Sequence, residues 1–328
     1  MSGAFSQTLD WLAFTIPNGT VEDTTQAVGG GWIKVEHGFR GYPVCWVTKY
    51  GRQGVGKLGT GAHRNGKEIH VDLSGGIVSN WDEATILRVL SWIFAHGGHI
   101  TRMDVALDDR QATVAVDTVR QAFDAGQAVT RSQKFQAVKS SSNKDGGSRG
   151  ETLYFGSRQS QTMLRVYDKR LELLQRHDER AQDYGVRWEL EFKEDRAQAC
   201  AKALVHLPAE DWREFIVGVL RSYVDFRETT REAKPYEKYR APLLAWWERL
   251  TEGFKKCRLV VEKIRKGLDD LCQWLGQAVS ASLAVAYCKR GEASLHELIY
   301  TGTKKWRTKH YALLDEDRLQ VPYVLHSA

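Results

Sequence analysis

The chain has little cysteine, proline or methionine, and no long apolar run. Its 328 residues include five Cys, six Pro and three Met. The cysteines (Cys45, Cys200, Cys257, Cys272 and Cys288) are scattered, odd in number and never in CxxC spacing. Neither a disulfide framework nor a zinc knuckle is expected from them; reduced core thiols are. The most apolar stretch, Ala278–Tyr287, is too short to cross a bilayer. The opening MSGAFSQTLDWLAF has no basic segment followed by an apolar one. A soluble cytoplasmic protein with no membrane partner is therefore expected.

An apolar fraction of 42% is enough for a real core, and 328 residues suit about two domains. The net charge of +6 suits a polyanionic partner. Its placement is more informative. Between Lys234 and Lys309, 16 Lys and Arg stand against 8 Asp and Glu, so the basic excess lies in the C-terminal part.

Leu9–Ile16, Trp32–Glu36 and Val44–Tyr50 read as strands between Gly and Pro breakers. Gly51–Gly66 reads as a Gly-rich hairpin loop. It contains Gly54-Val-Gly56-Lys-Leu-Gly59, a GxGxxG match, but a strand and not a helix is expected next, which argues against a nucleotide site. Asn80 with Glu83 resembles a capping box opening a helix to about His96. Another helix is expected near Asp117–Gly126, a mobile basic loop over Lys139–Gly150, and a hairpin from Glu151–Phe155 and Thr162–Tyr167. Helices follow at Asp168–Gln182, Asp195–His206 and Ala209–Arg227. Beyond Glu232, a linker around Pro235 and Pro242 leads into helices at Leu243–Trp274, Ser280–Cys288 and Ala293–Tyr300.

Four segments alternate apolar and polar residues: Ile69–Leu73, Ile100–Asp108, Thr162–Lys169 and Arg187–Lys193. Alternate residues of a strand share a face. One face thus carries His70, Asp72, Arg102, Asp104, Asp108, Arg165, Tyr167, Lys169, Arg187, Glu189, Glu191 and Lys193. A solvated face would carry Thr, Ser, Lys and Gln instead. These are the parts of a metal-assisted phosphoryl-transfer site. The alternation predicts an α+β fold: a central, largely antiparallel sheet with helices on one face, followed by a helical C-terminal domain. The expected division is a sheet domain carrying this polar face over 1–230 and a basic helical domain over 231–328, for DNA binding or dimerisation.

Tyr167 is the expected nucleophile, with Arg165 and Lys169 on its face to favour the phenolate. Asp104, Glu189 and Glu191 are candidate ligands for Mg²⁺ or Mn²⁺, with His70, Asp72 and Asp108 as alternates; an imidazole tilts the choice toward Mn²⁺. Ion pairing of Asp104 and Glu189 with Arg102 and Arg187 is the other reading, but two arginines do not neutralise so many acids. The turn Gly156-Ser157-Arg158-Gln159-Ser160 offers hydroxyls and a guanidinium to a phosphate.

Together these segments resemble the Rep_trans replication initiators, which include rolling-circle Rep proteins of small plasmids and of filamentous phages. The resemblance rests on Ile69-His-Val-Asp-Leu-Ser-Gly75, Ile100-Thr-Arg-Met-Asp-Val-Ala-Leu-Asp108, Thr152–Ser160 continuing to Arg165-Val-Tyr-Asp-Lys169, and Arg187-Trp-Glu-Leu-Glu-Phe192. It covers about Leu9–Arg227 and extends more weakly to Ala245-Trp-Trp247. It implies a domain related to the HUH endonucleases with one catalytic tyrosine, Tyr167. Asp104, Glu189 and Glu191 would hold a divalent metal. There is no His-x-His pair; His70-Val-Asp72 stands on the corresponding kind of strand. The implied activity is nicking of one origin strand, leaving a 5′-phosphotyrosyl link and a 3′-hydroxyl primer. Arg158, Arg165 and Lys169 would balance charge on the phosphate, with Ser157, Ser160, Arg102 and Arg187 as further phosphate and DNA contacts. The implied partners are a single-stranded nick site with flanking duplex, a second copy of the chain, and host helicase and polymerase. A second subunit, or a tyrosine such as Tyr154, would make the final cut.

Two other functions compete. Glu191-Phe-Lys193 with Asp104 or Asp108 matches the ExK element of nucleases that activate water. A non-catalytic origin-binding regulator would use the same fold without cutting.

Overall fold

The computed structural model describes residues 5–49, 55–61, 66–141, 147–259, 271–272, 275–276 and 278–306. Its strands are β1 Phe5–Ile16, β2 Ile33–Val35, β3 Val44–Lys49, β4 Val55–Thr60, β5 Ile69–Ser74, β6 His99–Asp109, β7 Ala128–Thr130, β8 Phe135–Ser141, β9 Ser148–Phe155, β10 Thr162–Asp168, β11 Val186–Lys193 and β12 Val224–Phe226. Ten form one sheet in the order β2-β3-β4-β5-β1-β6-β11-β10-β9-β8, and β12 pairs with β7. The pairings are antiparallel throughout.

The alternation in the sequence sets the two faces of this sheet. Leu12 and Phe14 of β1, Met103 and Leu107 of β6, Leu164 and Val166 of β10, and Trp188, Leu190 and Phe192 of β11 are buried in one core cluster. Ile86, Leu90 and Ile93 from helix Glu83–Ala95 join it, as do Cys200 and Leu204 from Glu194–His206 and Ile216 and Leu220 from Trp212–Tyr223. Burying side chains of this size contributes about 1.5–3 kcal/mol each. The chain is thus an α+β fold whose antiparallel sheet packs helices on its apolar face and carries the acids, arginines and Tyr167 on the other.

Several local expectations are corrected. The GxGxxG segment is not a loop: Val55–Thr60 forms β4 between β3 and β5, and Gly54 lies outside the described residues. Half of Lys139–Gly150 belongs to β8 and β9, which pair from Phe135↔Phe155 to Ser141↔Ser148; residues 142–146 lie outside the described residues. The helix before Ala95 is capped by Asp82, which accepts from Thr85 N at 2.8 Å; Asn80 instead donates to Gly76 O. The helix expected over Asp168–Gln182 is split into Lys169–Gln175 and a short 3₁₀ turn, Glu179–Asp183.

Leu243–Trp274 is not one helix. Helix Ala245–Leu250 ends where Glu252 and Gly253 take φ of 53° and 67°. The chain then turns back so that Cys257 N donates to Gly218 O at 2.9 Å. Residues 260–270, 273–274 and 277 lie outside the described residues, as do 307–309 of the terminal basic segment. Trp247 and Leu250 are buried in the core, beside Asp225. That carboxylate receives Arg221, Arg227, Lys256 and the indole N–H of Trp247.

The chain divides into two compact units, Met1–Glu262 and Lys263–Ala328. In the second, helices Ser280–Arg290 and Glu292–Thr303 meet at Gly291, whose φ of 71° makes the break. Among the described residues no helix is long and apolar enough to cross a membrane.

Candidate active site

Strand register assembles the site. On β10 and β11, Arg165 lies opposite Glu189 and Tyr167 opposite Arg187. On β11 and β6, Glu191 lies opposite Asp104 and Arg187 opposite Asp108. Directly opposed residues project to the same side. Three strands therefore place Asp104, Glu189, Glu191, Arg165 and Tyr167 in one patch.

Four basic side chains answer the acids, more than the two arginines counted from the sequence. Arg102 donates to both oxygens of Asp104, at 2.9 and 2.6 Å, and to Glu191 at 2.9 Å. Arg165 bonds Glu189 and reaches Asp104 at 3.3 Å. Lys193 pairs with Glu191 at 2.7 Å. Arg187 is bidentate on Asp108, at 2.7 and 2.9 Å, and donates to Asp10 at 2.5 Å. Glu189 is thus partnered by Arg165, not by Arg187. Asp10, at the irregularity of β1 between Leu9 and Trp11, was not singled out from the sequence. Its one signal there is that it is the single charged residue of its strand, set between Leu9 and Trp11.

Tyr167 is half-buried and its hydroxyl donates to Glu189 Oε2 at 3.1 Å. Burial, and then the Glu189 charge, push the phenol well above its ordinary pKa. The expectation that Arg165 and Lys169 favour a phenolate is overturned for this state. Arg165 is committed to Glu189, and Lys169 to Glu172 at 2.9 Å while its Nζ stands 5.8 Å from the Tyr167 ring centroid. Glu189 is pushed up to about 8, first by burial and then by the neighbouring Asp10. Burial raises Asp104 as well. The arrangement pairs a protonated phenol with a carboxyl group that changes state near neutral pH.

The remaining residues fall elsewhere. His70 faces the same side but lies beside Thr15, whose hydroxyl is 3.0 Å from Nδ1, two strands from β6. Register offsets it along the strand as well, more than about 10 Å from Asp104. Asp72 pairs with Arg40 at 2.7 Å. Ser157, Arg158 and Ser160 form the β9–β10 turn, held by Ser160 N to Ser157 O and a 3.0 Å hydroxyl pair. This turn sits at the end of β10 away from Tyr167, about 17 Å along the strand. Lys193 ties it to the acids by donating to Arg158 O at 2.6 Å.

The acids suit a hard divalent ion in donor chemistry. Carboxylates of Asp104, Glu189 and Glu191 converge on one cationic atom, Arg165 Nη2, at distances up to 4.0 Å. As placed, Arg102, Arg165 and Lys193 take up those oxygens. Among the described residues no group of three His, Cys, Asp or Glu is placed to hold an ion. An ion fits here only where Arg165 withdraws.

The replication initiation factor family, Rep_trans, matches residues 98–299. NicK of Bacillus subtilis (strain 168), described as a DNA relaxase, is 26% identical over 199 residues, covering 58% of this chain and 54% of that protein. The chain thus spans about half the length of this curated relative. A rolling-circle replication initiator protein from Geobacillus stearothermophilus superposes with a TM-score of 0.63 at 21% identity, covering 79% of this chain and 99% of that one. At that identity the likeness concerns the fold.

Proposed function

Since the chain belongs to the Rep_trans family of replication initiation factors, we propose that it nicks one strand of a replication origin through Tyr167 and holds the 5′ end covalently. The carrying observation is the hydrogen bond from Tyr167 to Glu189. Tyr167 Oη loses its proton to Glu189 and bonds to phosphorus. The P–O3′ bond breaks, its electron pair leaves on O3′, and a proton from Glu189 or water completes the 3′-hydroxyl. Arg165 is placed to turn from Glu189 to the phosphate, where it offsets developing charge. Lys169 and Arg102 add positive charge nearby. The basic C-terminal part grips origin duplex, chiefly through phosphates. A bound divalent ion would supply electrophilic polarisation of the phosphate; Asp104 and Glu191 would hold it, leaving Glu189 to take the phenol proton.

Incubation with a randomised single-stranded oligonucleotide pool and Mn²⁺ tests this reading. A protein–DNA species that survives denaturation supports it. Cleavage with no such species would instead support activation of water by the Glu191–Lys193 pair. Binding with an intact backbone would support a regulator.

Glu189→Gln should slow adduct formation by about 100-fold or more. The parent rate should rise as pH climbs through about 8, where Glu189 becomes a base, and the variant should lose that rise. Stability should move oppositely. The folded pKa of Glu189 is raised from 4.5 to about 8, so its contribution is full below the lower value and is lost as pH rises through the upper. Melting temperature measured across this range should fall in the parent and fall less in Glu189→Gln.

Arg165→Ala should free carboxylate oxygens and tighten Mn²⁺ binding by at least about tenfold, since a unit charge about 4 Å from a divalent ion costs about 2 kcal/mol even at the dielectric of water. Paramagnetic resonance of free Mn²⁺ reads this without reference to activity. Equal or weaker binding would remove Arg165 as the competitor for these oxygens.

A further inference from the structure

The polar face of the sheet carries a second cluster, on β5 and β4. Phe39 and Tyr42 form an isolated antiparallel bridge, each amide donating to the other's carbonyl at 2.9 Å. The two residues between them, Arg40 and Gly41, have φ of 50° and 85°, the left-handed pair of a type I′ turn. Gly or Asn would adopt the first of these positions more readily than Arg, so an arginine held there points to a use for its side chain. The guanidinium extends to Asp72 and remains half-exposed.

This turn lays two aromatic rings on His70. Phe39 stacks at 6.0 Å and 27°, Tyr42 at 5.9 Å and 7°. Tyr42 is locked. Its hydroxyl donates to Glu68 at 2.6 Å, and any Cβ on Gly59 would come within 2.8 Å of its side chain. Phe39 lies at the partly exposed edge. Arg40 and Lys57 stand over its ring, at 5.5 and 5.4 Å from the centroid. Lys57 is exposed and has no acidic partner among the described residues. Beneath them, Nε2 of His70 is buried with no hydrogen-bond partner. Burial, then Arg40, lower the His70 pKa, so the imidazole is a neutral base for the stack and not a third cation.

A rigid aromatic edge flanked by two cations is what single-stranded nucleic acid requires: a ring to stack a base and charges for the adjoining phosphates. We propose that Phe39, Arg40 and Lys57 form a single-stranded DNA subsite separate from the cutting centre. The inference rests on the reading of Tyr167 as a DNA nickase, and adds where the strand goes. β5 lies four strand spacings from β10, about 19 Å, on the same side of the sheet, and the register offsets Asp72 from Tyr167 by about 20 Å along the strands as well, so the two sites are roughly 30 Å apart. Several extended nucleotides cover that span. The subsite would then hold the strand at a distance from the nick without contacting the reacting phosphate.

The test uses the full chain and a fluorescein-labelled oligothymidylate, followed by anisotropy. Phe39→Ala should weaken binding by at least about fivefold, and Phe39→Trp should restore it. Lys57→Gln, at an exposed position that does not threaten folding, should make the dependence of log K on log salt shallower by about 0.7. Parent-like binding and salt dependence in both Phe39→Ala and Lys57→Gln would overturn the subsite while leaving the nickase reading intact. Failure of the parent itself to bind the oligonucleotide would overturn both. A covalent adduct that still forms in Phe39→Ala, but needs several-fold more DNA, would support the subsite and place it outside the chemical step.

Discussion

Tyr167→Phe should abolish the covalent protein–DNA species while leaving DNA binding within about twofold of the parent, a change under about 0.5 kcal/mol. The substitution removes one hydroxyl whose contact within the protein is Glu189. The ring remains, packed on β10 between Arg165 and Lys169, so the sheet and its basic groups are unchanged. Loss of the nucleophile leaves no route to a phosphotyrosyl link, and the expected fall in rate is at least about 1,000-fold. A gel under denaturing conditions checks the adduct, and anisotropy checks binding. The sharp division between the two readouts is what distinguishes a nucleophile from a tyrosine that only supports the sheet.

The largest effect on stability should come from Asp225→Ala, at about 3–5 kcal/mol. Asp225 is fully buried and gathers Arg221, Arg227 and Lys256, with Trp247 Nε1 at 2.6 Å. Removing the carboxylate leaves three cations close together and strips the indole of its acceptor. It also loosens the segment after Leu243, which reaches the core through Trp247 and Leu250. Asp225→Asn should cost nearly as much, because the shape survives and the charge does not. Urea unfolding followed by tryptophan fluorescence measures both. A cost below about 1 kcal/mol would make the cluster incidental.

The sheet was legible wherever a strand kept one face apolar. β5, β6, β10 and β11 all show a period of two, and their polar residues do share one face. β4 was hidden because Gly56 and Gly59 stand where alternation would be read, and both are close to neighbours a Cβ would strike. The ends of β8 and β9 were hidden because Lys139, Ser140 and Ser141 carry no apolar signal. The alternation placed Asp104, Arg165, Tyr167, Glu189 and Glu191 on one face, and register brings them into one patch, whereas the distance of His70 and of the Ser157–Ser160 turn from that patch, and its electrostatics, were not legible. Which cation meets which acid depends on strand order and register. β10 lying beside β11 gives Glu189 to Arg165, and the irregularity in β1 delivers Asp10 to Arg187. The phenolate expectation failed for the same reason, since cations near Tyr167 in sequence are spent on carboxylates in space. The aromatic turn over His70 had only a faint trace, the Gly38-Phe-Arg-Gly-Tyr42 run.

The central claim is that one phenol oxygen takes the phosphorus. Its most direct test digests the denatured adduct with protease and nuclease and locates the nucleotide remnant by mass spectrometry. The account predicts a single modified peptide with the remnant on Tyr167, joined through a 5′-phosphate, and a released strand whose 3′ end a polymerase extends. A remnant on any other residue, or cleaved DNA whose 5′-phosphate is free of protein, would contradict it.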